Sequence, residues 1–210
     1  MPDPSNATTA NLKRRFLTID GKTTAKRSKC PIPATLKPDR VVAVVDTREQ
    51  LPLDLAPLQT VSGTLATGDY SVKGLEHVIA IERKSLADLL GCIGAGRERF
   101  DREVQRLLAY PTRALVVEST WSTIEAGDWR SKITPAAAMG SLLGWIAAGL
   151  PVIMAGDHNR AGQYVGRLLY IAASRRWREN RELFKATVGQ YRSESGAGVM
   201  TPEEARFDPF

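Results

Sequence analysis

Val78-Ile79-Ala80-Ile81-Glu82-Arg83-Lys84-Ser85-Leu86-Ala87-Asp88-Leu89 carries the strongest fold signal in the chain. Its first four residues form an unbroken apolar run rich in β-branched side chains, the pattern of a strand covered on both faces. A buried strand that finishes in three consecutive charged residues is unusual. Ser85 then stands where a helix N-cap would, with Asp88 in the capping-box position. A helix is predicted from there to about Ile93, broken by Gly91, Gly94 and Gly96.

Upstream, Val41-Val42-Ala43-Val44-Val45 is a second buried strand, ending in Asp46-Thr47-Arg48-Glu49. Leu51-Pro52-Leu53-Asp54-Leu55 reads as a connection. Thr60–Leu65 and Asp69–Val72 alternate like antiparallel strands with a turn near Ala66-Thr67-Gly68, so a meander is expected. Downstream, Arg97–Ala109 carries Phe100, Val104, Leu107 and Leu108 as one helical stripe. Ala114–Glu118 is a buried strand. Thr134-Pro135 opens a helix to about Ala148, Pro151–Met154 is a strand, and Asp157 is expected to cap a long last helix with Ala161, Val165, Leu168, Leu169 and Ala172 inward. Three β–α alternations after a meander predict an α/β fold, a mixed sheet with helices on both faces.

The chain has 210 residues and a net charge of +6. Residues 1–40 hold nine basic groups, Lys13, Arg14, Arg15, Lys22, Lys26, Arg27, Lys29, Lys37 and Arg40, against Asp3, Asp20 and Asp39. The remainder is charge-balanced, so the whole excess lies in this segment. Residues 1–38 are expected to be a disordered basic tail, either merely solubilising or a nucleic-acid arm. Residues 39–185 are expected to form one domain, and 186–210 a flexible end. No apolar run approaches the roughly 18–20 residues that span a bilayer, and residues 1–10 lack a secretory pattern. Cys30 and Cys92 cannot build a disulfide framework. An intracellular protein is therefore expected. With only His77 and His158 available, any metal must sit on carboxylates, which favours Mg²⁺ or Mn²⁺.

The chemistry concentrates at strand ends: Asp46, Asp69 and Glu82. Alternation puts Glu82 and Lys84 on one side of their strand, and Asp69 lies on the neighbouring strand of the expected meander. Two carboxylates brought together repel, and a divalent cation removes that cost. Lys84 would orient water or stabilise developing negative charge. Metal-dependent phosphodiester hydrolysis fits this set, and a surface hairpin with paired charges is the alternative.

Taken in order, Val45-Asp46-Thr47-Arg48-Glu49, Gly68-Asp69-Tyr70, Glu82-Arg83-Lys84 with Asp88, and Gly96-Arg97-Glu98-Arg99-Phe100 resemble the XPF/Hef-type nuclease domain of the PD-(D/E)xK superfamily, whose signature is GD…ERK-x-x-x-D. The resemblance spans roughly residues 41–182. It implies a restriction-endonuclease-like fold, Asp46, Asp69 and Glu82 as ligands of Mg²⁺ or Mn²⁺, and Lys84 as the catalytic lysine. It places Arg48 and Arg83 in the active-site cluster touching phosphate, and Asp88 within the signature. It also implies branched, flapped or junction DNA as substrate and a homodimer formed through the nuclease domain. No helix-hairpin-helix motif follows, so a stand-alone form in the nucleoid or cytoplasm of a prokaryote or phage is expected. A catalytically silent DNA-binding subunit and a resolving or restriction-like endonuclease are the alternatives.

Further basic candidates for DNA contact are Arg97 and Arg99, with Arg102 and Arg106 on the same helix, and Lys13, Arg14, Arg15, Lys26 and Arg27 in the tail. For the helix arginines a solvated face competes with phosphate contact. Of the four tryptophans, Trp145 is expected in the core, while Trp121, Trp129 and Trp177 are open candidates for base stacking. The histidines are read as incidental.

Overall fold

The computed structural model describes residues 30–194, with side chains through residue 188. The chain divides at Pro31, and the body begins at Ile32. Lys13, Arg14, Arg15, Lys26 and Arg27 lie outside the described residues. Among the described residues there are six strands: β1 (Val42–Asp46), β2 (Gln59–Gly63), β3 (Tyr70–Val72), β4 (Ile79–Ser85), β5 (Thr112–Glu118) and β6 (Val152–Met154). Five α-helices accompany them: α1 (Leu86–Ile93), α2 (Arg97–Leu108), α3 (Trp121–Ala126), α4 (Pro135–Ala147) and α5 (His158–Glu194).

All six strands join one mixed sheet in the order β2-β1-β3-β4-β5-β6. β4, β5 and β6 run parallel, and β3 is antiparallel to both β1 and β4. The expected meander is not formed. β2 and β3 do not pair; β1 lies between them, and β2 runs parallel to it at the sheet edge. Burial explains the choice. β1 is apolar on both faces and buried almost throughout, whereas β2 is mostly exposed. The strand that needs cover on both sides takes the interior place, and the polar one takes the edge.

Alternation along the strands builds two cores. Ile79, Ile81, Ala114 and Val116 face α5 and meet Ala161, Val165 and Leu169. Ala80, Leu115 and Val117 face the other way, onto Leu89, Phe100, Val104, Leu107, Ile124 and Leu142 of α1–α4. Helices therefore cover both faces, as expected.

The caps form as predicted. Ser85 Oγ accepts from Asp88 N at 3.2 Å, Thr134 Oγ1 from Ala137 N at 3.2 Å, and Asp157 Oδ1 from Arg160 N at 2.8 Å. The short helix α3 is not among the expected elements, although Thr120 is its N-cap and Gly127 its left-handed C-cap. Two boundaries differ from expectation. α5 continues through position 185 to Glu194. Residues 32–38 pack along α5 rather than belonging to a loose tail: the carbonyls of Ile32, Pro33 and Leu36 accept from Arg181 Nε, Trp177 Nε1 and Tyr170 Oη at 3.2, 2.8 and 3.0 Å. No helix among the described residues is long and apolar enough to cross a membrane.

Candidate active site

The pairing of β3 with β4 brings Asp69 beside Glu82. Tyr70 is in register with Ile81, Asp69 N donates to Ile81 O at 2.8 Å, and Arg83 N donates to Asp69 Oδ2 at 2.8 Å. Gly68 permits this approach. Its φ is +79°, and a Cβ there would lie 2.9 Å from Ile81 O. Both the left-handed backbone and the contact exclude a side chain. Gly68→Ala is therefore expected to cost about 1–3 kcal/mol and to withdraw Asp69 from Glu82. Chemical denaturation and a cleavage assay would check both; an equally stable, active variant would refute this reading.

Along β4, Glu82 and Lys84 share the face of α1 and α2. Lys84 Nζ pairs with Glu82 Oε1, lies 5.4 Å from the centroid of the Phe100 ring, and sits 3.5 Å from the carbonyl oxygen of Arg83. Phe100 is held in turn by an edge contact with Trp145, centroids 4.9 Å apart. The Glu82 side chain is only 7% exposed. Burial, with the Asp69 charge adding to it, pushes its pKa from 4.5 up to about 7. Burial also raises that of Asp69, against the opposing hydrogen bond from Arg83 N. Burial would lower the pKa of Lys84, but Glu82 and Asp69 outweigh it and the net shift is upward. The site thus holds an ammonium paired with Glu82 and drawn on by the Asp69 charge, beside two carboxyl groups that resist ionising together.

Asp46 is placed differently from expectation. Its Oδ1 accepts from Arg48 N at 2.8 Å and Arg48 Nε at 2.6 Å. Its Oδ2 accepts from Leu65 N at 2.7 Å and Arg48 Nη2 at 3.1 Å. Four donors occupy the four lone-pair positions of the carboxylate. Burial alone would raise its pKa; these bonds bring it down to about 2. Arg48 also donates to Leu65 O at 3.0 Å. In this arrangement Asp46 and Arg48 clamp the loop that delivers Gly68 and Asp69, and Asp46 offers no lone pair to a third partner. Among the described residues no group of three or more His, Cys, Asp or Glu side chains is disposed to hold a metal ion. Asp69 and Glu82 remain as hard oxygen donors close enough for the Asp69 charge to act on Glu82, and the Arg83 carbonyl oxygen lies 3.5 Å from Lys84 Nζ beside them. That donor set, with its unrelieved carboxylate repulsion, fits Mg²⁺ or Mn²⁺.

Arg83 points to the opposite face, toward α5, with its side chain 9% exposed. It pairs with Glu118 at 2.7 Å and Glu49 at 3.5 Å, and its Nη2 lies 3.2 Å from His158 Nδ1. His158 Nδ1 is 2.7 Å from Glu118 Oε1. The guanidinium is thus consumed by a buried network and is not presented for the phosphate contact expected of it. Glu49, Glu118 and His158 are site residues that sequence reading misses. One signal exists: the apolar run of β5, like that of β4, leads straight into a glutamate, and Glu118 is in register with Ser85 at the end of β4.

Asp88 Oδ2 accepts from Ser85 Oγ at 2.6 Å and borders a cleft of about 440 Å³, together with Arg48, Glu49, Asp69, Arg83 and Lys84. Arg97 and Arg99 are not in it. Arg97 bonds Ser141 Oγ at 3.2 Å and pairs with Asp101 at 3.8 Å, and Arg99 is exposed on α2. On this helix Arg97–Asp101 forms an i,i+4 pair.

Residues 40–168 match the family model of the ERCC4 domain. Among solved structures, XPF from Aeropyrum pernix aligns with a TM-score of 0.53 at 21% identity, covering 75% of this chain and 75% of that one. XPF from Aeropyrum pernix in complex with DNA aligns at 0.53 and 20%, covering 76% of each. At that identity the likeness is one of fold. No curated protein matches the chain.

Proposed function

The chain belongs to the ERCC4-domain family, and from that premise we propose that it is a divalent-cation-dependent endonuclease acting on branched, flapped or junction DNA. The observation that carries the proposal is Asp69, Glu82 and Lys84 converging at one end of the sheet, beside an open cleft. The DNA complex of the structural neighbour supports DNA as the polymer.

Asp69, Glu82 and the Arg83 carbonyl would hold Mg²⁺ or Mn²⁺, and Lewis acidity toward the scissile phosphate is the chemistry such an ion supplies. Lys84, kept protonated, orients the attacking water and offsets the charge that grows on the phosphoryl oxygens. Asp46 and Arg48 fix the loop bearing Asp69. Glu118, His158 and Glu49 fix Arg83, whose backbone N–H holds the Asp69 carboxylate. Asp88 holds the Ser85 cap of α1 and borders the cleft. Repair or recombination of DNA is the setting such an activity would serve. Association of two copies through this domain is part of the same reading; Leu143 and Ile146, 52% and 40% exposed on α4, offer apolar surface for it.

Cleavage assays with Mg²⁺ on linear duplex, flap, splayed arm and four-way junction test the proposal. Selective nicking of flap or splayed arm is expected. Preference for the four-way junction or for plain duplex would favour a resolving or restriction-like enzyme, and no cleavage of any substrate a silent binding subunit.

The charge excess near the N-terminus gives a further prediction. Because residues 32–38 belong to the body, the informative deletion is residues 1–31, which removes seven basic and two acidic groups. It should weaken DNA affinity and flatten the slope of log K against log salt while leaving the rate at saturating DNA unchanged. An unaltered salt slope would refute a DNA-binding arm.

A further inference from the structure

The cleft is not the larger concavity of the body. A groove of about 750 Å³ runs between α1 and the loop joining α3 to α4. Leu86, Leu90 and Gly91 wall one side, Trp129 and Ile133 the other, and Arg130 and Lys132 are exposed along it. Leu86, Trp129 and Ile133 pack onto the core beneath yet stay partly open. No carboxylate lines the groove among the described residues.

We infer that this groove receives an unpaired nucleotide of the DNA substrate, its base against the apolar walls and its phosphates toward Arg130 and Lys132. The inference rests on the endonuclease reading above. Apolar walls with cations alongside and no acid match the two halves of a nucleotide, a π-face and an anion. The groove also lies next to the cleft, because α1 borders both. Ser85 and Asp88 line the cleft, while Ala87 and Gly91 line the groove. Asp88 and Gly91 are about 5 Å apart along the helix axis. A strand whose phosphate reaches Lys84 therefore has a neighbouring nucleotide within reach of the groove. A paired base cannot turn into it, so the site selects single strand next to the cut.

The groove is preformed. Gly127 closes α3 at φ +72°, and a Cβ there would overlap Pro135. Trp129 N donates to Gly127 O at 2.8 Å, Trp129 Nε1 to Ile133 O at 2.8 Å, and Ile133 N to Ser131 Oγ at 3.2 Å. These bonds turn the polar edge of the indole into its own loop. Gly91 is the opposite kind of glycine. It sits inside α1, where glycine costs about 1 kcal/mol relative to alanine, yet a Cβ would meet nothing within 4 Å. Internal packing does not require it; what it leaves is room.

The test is equilibrium binding of the full chain, in EDTA, to labelled oligothymidylate and to blunt duplex of equal length, read by fluorescence anisotropy. Gly91→Leu fills the groove, and Arg130→Ala with Lys132→Ala strips its cations without touching α1. Each should weaken oligothymidylate binding about 10-fold more than duplex binding, the scale of one lost base stack. Thermal melting of both variants, and the loop variant itself, guard against a Gly91→Leu effect that is only misfolding. Equal losses on the two probes, no loss with the loop variant, or a change of oligomeric mass in place of weaker DNA binding would overturn the inference. Wild-type cleavage of flap DNA is scored separately. Its failure would refute the endonuclease reading, while the groove is judged on binding alone.

Discussion

Lys84→Met should abolish Mg²⁺-dependent nicking of flap DNA, with the single-turnover rate falling by about 10³-fold or more, while the protein stays folded. The reasons lie in where the ammonium sits. Its partner Glu82, the 5.4 Å approach to Phe100 and the 3.5 Å approach to the Arg83 carbonyl fix it beside Glu82, near enough to Asp69 to feel its charge. Its pKa is shifted upward by those carboxylates against the effect of burial, so at neutral pH it cannot accept a proton and serves as an electrostatic group. Methionine retains the stem that packs near Phe100 and removes only the charge. Asp69→Asn should be equally inactive, because the amide oxygen can still accept from Arg83 N while the negative charge is gone. Stability within about 1 kcal/mol of wild type in both variants would show that the loss is chemical. Full activity in either folded variant would sink the mechanism.

Glu82→Gln should produce an inactive protein that is more stable than wild type above pH 7. A pKa raised from 4.5 to about 7 means that the fold disfavours the carboxylate by roughly 3 kcal/mol at most, at about 1.4 kcal/mol per unit. Below pH 4.5 the acid is protonated whether folded or unfolded, and nothing is lost. Between pH 4.5 and 7 the unfolded chain ionises first, so wild-type stability falls as pH rises, and above 7 the deficit is constant. Glutamine has no such fall. The melting difference should therefore be near zero at pH 4.5 and grow to as much as about 6–10 °C at pH 8. These measurements belong in EDTA. Added Mg²⁺ should then raise the melting temperature of wild type and leave Glu82→Gln unmoved. A variant less stable than wild type at pH 8 would mean that the Glu82–Lys84 pair is worth more than its burial costs.

Much of this site is legible in the amino-acid order. β4, the Ser85 cap and the placement of Glu82 with Lys84 follow from periods and caps that depend only on neighbours in the chain. The proximity of Asp69 to Glu82 is legible too, although the meander that would deliver it does not exist. β3 pairs with β4 in either topology, which is why a wrong strand order still brings Asp69 beside Glu82. The resemblance to the XPF/Hef-type domain and the match of residues 40–168 to the ERCC4 domain agree on the same stretch. The residues placed differently from expectation are those whose surroundings depend on what their side chains meet. Asp46 and Arg83 stand in signature positions, yet one carboxylate is saturated by Arg48 and Leu65 and the other residue's guanidinium is enclosed by Glu118, Glu49 and His158. His158, 75 positions from Arg83, has nothing local to mark it.

Local sequence dictates that two apolar strands end in charge, that Ser85 starts a helix there, and that nearly all the positive excess lies in the first 31 residues. These are properties of short runs, governed by backbone sterics, hydrophobic period and composition. Tertiary packing dictates that β1 separates β2 from β3, that Arg83 turns away from Glu82 to the α5 face, and that Trp129 lies across a groove from Gly91 rather than in the core. Those outcomes depend on which surfaces must be covered and which polar groups must find partners once the sheet closes, and both are settled between residues far apart in the chain.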